Sequence, residues 1–289
     1  MRHMKNLLRD RWLTLKKNER AETLKHLLKA LGGQWQITQH QAPITLLHER
    51  TELEYVVVLG GEFRMGMSDQ ELEAGLRIKD PFPVDVGPMR PAHQVSVQPF
   101  LITKYPLSEA FVLANGMDLG PSAVTADQCG VDPAWFPSYL TRLQADRIAA
   151  KHDALLPSEA QWEYTYRSGS TTLFPWGDTV PDDVEDLLCL VTDLDDANIR
   201  QRHANSFGVV GMNYGEWCAD AFCPYNSDKR PHKPKRSFAR AVRGGAASYW
   251  PWQDCDEWVL CMSSTRRGER KAVKGDKEAN CARLVKNIV

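Results

Sequence analysis

The chain has 289 residues, 43% of them hydrophobic, and a formal net charge of −1. That is enough apolar material for one large domain or two small ones, and too little net charge to draw the chain to nucleic acid or an anionic membrane. The opening MRHMKNLLRDRWLTLKKNER scatters basic residues through a stretch with no uninterrupted apolar run, which reads as neither a secretory signal nor a membrane span and predicts a cytoplasmic protein.

Cys129, Cys189, Cys218, Cys223, Cys255, Cys261 and Cys281 are an odd number in a reducing compartment, which favours thiols over a disulfide framework. Over residues 18–31, Leu24, Leu27, Leu28 and Leu31 recur at helical spacing, and Gly32 and Gly33 follow to end the helix. Its apolar face is built for burial, either on its own domain or against another protein. Residues 1–50 therefore read as a helical N-terminal extension and 51–289 as the main domain. Residues 54–59 are a β-branched run ending in a Gly-Gly turn, and 93–102 alternate loosely with Val95, Val97 and Phe100 inward. Between them lies a polar, proline-bearing connection with a short helix expected at 69–76, and further helices are expected near 108–114 and 137–153.

The stretch LPSEAQWEY, residues 156–164, has the clearest local logic. Ser158 with Gln161 three residues on forms a capping box that satisfies two backbone donors. Trp162 and Tyr166 then share one helix face, and Gly169 ends the helix. From Pro175 onward Gly, Pro, Asn and aromatic residues predict loops and short strands. No internal repeat is evident. Helices, short antiparallel strands and long irregular connections together make the fold class α+β.

LPSEAQWEY and the FPWG at 174–177 resemble the signature of the sulfatase-modifying-factor, or formylglycine-generating-enzyme, family. GGEFRMG at 60–66 and RPAHQVSVQPFLITKYPLS at 90–108 look like its opening strands. NSFGVVGMNYGEWCAD at 205–220, VRGG at 242–245 and the closing CARLV at 281–285 are similar to its later blocks, in the same order. The resemblance implies a C-type-lectin-like fold of the formylglycine-generating-enzyme type, rich in loops.

The family's chemistry, carried over by resemblance, would lie near the C-terminus. There, two cysteines after Arg-Gly-Gly-Ser bind Cu(I), and oxygen oxidises a substrate peptide cysteine to formylglycine; soft thiolates suit Cu(I). This chain offers Cys255 and Cys261 after Arg243-Gly244-Gly245, with Ala246 in place of the serine. Counted back from Arg283 the pair falls close to the family's cysteines; counted forward from Gly245 both come late. If 258–263 is instead a core strand, Cys261 is a small buried hydrophobe. Calcium is implied in the same manner: Asn198 and Ile199 resemble a segment whose oxygens bind Ca2+, and Glu216 stands in a shortened version of a second site.

Other signals are weaker. The eight histidines do not form the His-x3-His-x-Glu pattern of the family's sulfur–carbon bond-forming branch. Cys218 and Cys223 could hold a soft metal or be buried thiols. There is no nucleotide-binding glycine loop, no haem signature and no Gly-x-Ser-x-Gly elbow. An acidic run at 182–196 and a basic one at 229–240 read as solvated faces or mutual partners. Tyr249, Trp250, Trp252 and Trp258 sit in the segment that lines the family's substrate groove, with Arg266 just beyond, and either pack inward or anchor a ligand. Two functions follow. One is a divergent member that recognises a protein or peptide through its C-terminal groove and loops; the alternative is a Cu(I)- and O2-dependent peptide-cysteine oxidase.

Overall fold

A computed structural model describes residues 4–119, 125–180, 200–201, 204–211, 214–225, 239–245, 256–270 and 280–288. Its helices are α1 (Arg9–Thr14), α2 (Lys17–Leu31), α3 (Asp69–Ile78), α4 (Glu109–Ala114), α5 (Ala126–Cys129), α6 (Arg142–Lys151) and α7 (Glu159–Arg167). Its strands are β1 (Trp35–Gln39), β2 (Thr45–His48), β3 (Leu53–Val58), β4 (Gly61–Met65), β5 (His93–Val97), β6 (Phe100–Thr103), β7 (Glu216–Ala221), β8 (Ala239–Arg243), β9 (Arg266–Arg270) and β10 (Val285–Asn287). All named pairings are antiparallel, in sheets ordered β1-β2-β3-β6-β10, β4-β5 and β7-β8-β9. This is the α+β arrangement of short antiparallel sheets and several helices. None of the described helices is long and apolar enough to cross a membrane.

The first fifty residues belong to the domain rather than standing beside it. Leu24 and Leu27 of α2, with Leu7 and Trp12 before it, are buried in the same core as Leu46, Tyr55 and Leu101. Gly60 is hydrogen-bonded from both sides, with Arg9 N donating to its carbonyl at 2.7 Å and its own N–H donating to Leu7 O at 3.0 Å. Helix α2 ends at Leu31, as the spacing and Gly32 predict, but the rest of the extension is not helical: Trp35–Gln39 and Thr45–His48 form β1 and β2, which extend the five-stranded sheet through β3. The C-terminal β10 closes that sheet on its other side by pairing with β6. Residues of the N-terminal extension and of the C-terminal segment thus meet in one sheet, where burial of apolar side chains is worth about 25 cal/mol per Å2.

The expected single run at 93–102 is two strands in different sheets, because Pro99 lacks the N–H that a continuous ladder needs. Pro99 packs on Gly60, where an added Cβ would lie 2.7 Å from the proline ring. The helix expected near 137–153 starts later, at Arg142, where Thr141 caps it. Around α7 the reading from sequence holds in detail. Ser158 Oγ accepts from Gln161 N at 3.1 Å and Gln161 Oε1 accepts from Ser158 N at 3.0 Å. The Trp162 and Tyr166 rings lie 4.9 Å apart. The helix ends at Arg167, two residues before Gly169, with Ser168 as its cap in the left-handed conformation at φ 43°.

Candidate functional site

Helix α7 supports β4, β5, β7 and β8, and its buried face carries charge as well as aromatic rings. Glu159, Glu163 and Arg167 succeed one another at four-residue spacing, so they line one side of the helix. Glu163 accepts from Arg167 Nε at 2.8 Å and from Gly66 N at 2.8 Å, and its second oxygen pairs with Arg243 of β8. Burial pushes the Glu163 carboxyl up, and the Arg243 and Arg167 guanidiniums reverse this, leaving it below its ordinary value. Arg167 continues to Glu71 of α3 at 2.9 Å.

Glu159 anchors the C-terminal segment. Arg266 grips it with two bonds, Nε to Oε2 and Nη2 to Oε1, each 2.7 Å. Its remaining Nη1 donates to Pro88 O and Cys223 O at 2.8 Å, and its guanidinium lies 4.1 Å from the Tyr225 ring centroid. Arg266, read from sequence as a ligand contact, is therefore bonded on every side within the protein.

A second node joins β7 to the chain end. Arg283, fully buried, donates from Nε to Glu216 Oε1 at 2.8 Å. Its Nη1 reaches the carbonyls of Thr103 and Lys104 at 3.1 and 2.9 Å, and Nη2 reaches that of Val210. Trp162 Nε1 donates to the other oxygen of Glu216 at 3.0 Å. Burial raises the Glu216 carboxyl above its ordinary value, and the guanidinium offsets only part of this. Asn205 completes the frame: its amide donates to Thr165 O at 2.7 Å while its oxygen accepts from Phe207 N and Val209 N.

The segment 258–263 is not a strand: residues Glu257–Cys261 form a 3-10 helix. Thr265 Oγ1 donates to Val259 O at 2.6 Å and Ser263 N to Leu173 O at 2.9 Å, so its polar groups bond locally and to the residue just before FPWG rather than along a ladder. Trp258 is buried, edge-on to Phe82 and Phe174. Cys261 is 1% exposed, among Met67, Met89, Leu173 and Met262, and its carbonyl accepts from Tyr166 Oη at 2.9 Å. Tyr249, Trp250, Trp252, Cys255, Asn198 and Ile199 lie outside the described residues, as do the acidic run and, apart from Arg240, the basic one.

A copper centre would draw on Cys255 with Cys261, and only the second is described; a calcium site at Glu216 would have to take oxygens already held by Arg283 and Trp162. Among the described residues no group of three or more His, Cys, Asp or Glu side chains could hold a metal ion. The described residues do not by themselves complete either centre. Cys218 and Cys281 are buried, and burial holds both thiols well above their ordinary range, against the thiolate form that binds metal.

Sequence reasoning missed the charged interior of Glu159, Glu163, Arg167, Arg243 and Arg283. The local signal available was the four-residue spacing in α7. Their partners come from strands 67 to 107 residues away in sequence for the Arg283–Glu216 and Arg266–Glu159 pairs, and no local pattern encodes those distances.

The sequence profile of the sulfatase-modifying factor enzyme 1-like domain matches residues 43–288. Among solved structures, the chain is similar to PvdO from Pseudomonas aeruginosa, with 19% identity and a TM-score of 0.60 over 86% of this chain and 99% of that one. It is also similar to Treponema denticola variable protein 1, at 14% identity and a TM-score of 0.54, over 82% of this chain and 96% of that one. These likenesses are of fold. No curated protein sequence matches the chain.

Proposed function

The chain belongs to the sulfatase-modifying factor enzyme 1-like family, and from that premise we propose that it is a recognition protein, holding a protein or peptide ligand at its C-terminal loops. The observation that carries this reading is how the residues flanking the stretch 246–255 are held. Before it, Arg243 is fully buried and tied to Glu159, Glu163 and Ser263 O. After it, Trp258 and Cys261 are sunk in an apolar cluster and Arg266 is locked onto Glu159. The described residues on either side of 246–255, a stretch that includes Tyr249, Trp250 and Trp252, thus belong to a rigid frame. Aromatic side chains carried next to such a frame suit the recognition of a protein or peptide.

Of the described candidate site residues, Arg266 and Glu216 are buried with their side chains bonded within the protein, and Cys261 is buried in the apolar cluster. The test is site-specific photocrosslinking in cells of the native host, with a photoreactive residue at position 250 or 252 and a control at exposed Lys17. The reading expects one discrete protein adduct from positions 250 and 252 and none from the control. Indistinguishable crosslinking at all three positions would overturn it.

A further inference from the structure

We infer that the chain forms a two-fold dimer by pairing its edge strand β1 with β1 of a second copy. The surface is remote in sequence from the C-terminal segment, and the inference stands apart from the recognition reading. β1 ends the strand order β1-β2-β3-β6-β10, so among the described residues one of its sides faces no strand. The opposite margin of the sheet is partly closed: beyond β10, Leu155 N donates to Val285 O at 2.9 Å and Val285 N to Leu155 O at 2.7 Å.

The register identifies the backbone groups that face outward. Glu49 N donates to Gln34 O at 2.9 Å, so in this antiparallel pair Gln34 and Gln36 turn their backbone groups toward β2. By alternation the N–H and C=O of Trp35 and Ile37 point away from β2, and among the described residues none of these four groups has a hydrogen-bond partner. An open edge is a template for another strand, and monomeric proteins blunt it with charge, proline or a bulge. Here the chain from Ala30 to His48 contains no Asp, Glu, Lys or Arg, although 25% of the whole chain is charged, and β1 itself contains no proline. The bulge between Ile37 and Gln39 comes at the end of the strand and leaves Trp35, Gln36 and Ile37 in regular register.

Self-compatibility points to a second copy as the occupant. A two-fold contact sets the same patch against itself, so a charged strand would meet its own charge; β1 carries none. With the axis at Gln36, Trp35 pairs with the second copy's Ile37 and Ile37 with the second copy's Trp35, and every outward N–H and C=O of the two residues finds a partner. The same register sets the Trp35 indole beside the second copy's Ile37 on the side of the strand that packs on the core, where both side chains are only partly buried in the single chain. An aromatic ring opposite a β-branched residue is a favourable cross-strand pair. Gln36, exposed on the other face, meets its own copy, and each primary amide can both donate and accept.

The experiment is sedimentation equilibrium of the full chain over a concentration series reaching about 0.5 mM, repeated with Gln36→Lys, with Gln36→Glu and with an equimolar mixture of the two variants. Residue 36 is exposed, so both variants should keep the parent's melting temperature and circular dichroism. The parent should show a reversible monomer–dimer equilibrium. Each variant alone should associate about three- to tenfold more weakly, because like charges then stand opposite each other at the axis, and the mixture should recover the parent's affinity to within about twofold. Amide exchange followed by NMR should slow at Trp35 and Ile37 as the parent's concentration rises, and should not do so in Gln36→Lys. A parent that stays monomeric throughout, variants that dimerise as tightly as the parent, a mixture as weak as its components, or exchange at Trp35 and Ile37 indifferent to concentration would overturn the proposal.

Discussion

Replacing Arg283 by methionine tests whether the buried Glu216–Arg283 node holds the fold. The substitution keeps much of the side-chain volume and removes four donors: one to Glu216 and three to the carbonyls of Thr103, Lys104 and Val210. It leaves Glu216 buried with only Trp162 as partner. Breaking a buried ion pair from one side costs about 3–5 kcal/mol, and each orphaned carbonyl adds up to about 1 kcal/mol where water cannot reach it. We therefore expect Arg283→Met to lose about 4–6 kcal/mol, a large share of the roughly 5–15 kcal/mol that holds a domain together. Because burial outweighs the guanidinium at Glu216, the ionised pair is not itself a strong source of stability. The double variant Glu216→Leu/Arg283→Met should thus recover at least about 2 kcal/mol relative to Arg283→Met alone. Urea unfolding followed by tryptophan fluorescence and far-UV circular dichroism measures both. A loss under about 1 kcal/mol in the single variant, or no recovery in the double one, would refute the reasoning.

Three further outcomes follow from the same structure. Burial lowers the ring pKa of His48 and His152 below the ordinary 6.5, aided by Lys286 and Arg50 for His48 and by Lys151 and Arg50 for His152. The unfolded chain then takes up protons first, so stability present above 6.5 is lost as pH falls through 6.5 toward the folded values. Melting temperature should decline over that window and the decline should flatten in His48→Gln; an unaltered slope would contradict it. Cys218 and Cys281, held as thiols by burial, should resist iodoacetamide in the native protein and label on unfolding, while the part-exposed Cys129 and Cys223 label before them; mass spectrometry of the peptides decides. Trp258→Ala should cost about 3–5 kcal/mol, because the ring fills space between Phe82 and Phe174; a variant of unchanged stability would show that the ring is not core.

Local signals in the sequence were enough for α7, α3 and α2, because caps, helical spacing and terminal glycines act over a single turn. Ser158, Gln161, Trp162 and Tyr166 stand as their spacing requires. The ordered motifs, rather than periodicity, carried the fold family. What local pattern could not convey was pairing across distance. β1 is a short edge strand with Gln36, Thr38 and Gln39 exposed, so its alternation was too weak to separate it from the helical extension. Pro99 divided one apparent strand between two sheets. Arg243, Arg266 and Arg283 look like surface residues by type, and are buried because carboxylates from α7 and β7 meet them. Of the candidate site, Cys261, Trp258, Glu216 and Arg266 prove to belong to the interior, while the aromatic stretch 246–255 lies between those anchors and outside the described residues.

The claim that this chain recognises a ligand rather than oxidising one turns on copper. The direct measurement is an anaerobic titration of the reduced protein with Cu(I) against a competing chelator, alongside Cys255→Ser and Cys261→Ser. The account predicts no tight one-to-one binding that depends on both thiols. Stoichiometric binding abolished by either substitution would contradict it and assign the C-terminal segment to peptide-cysteine oxidation.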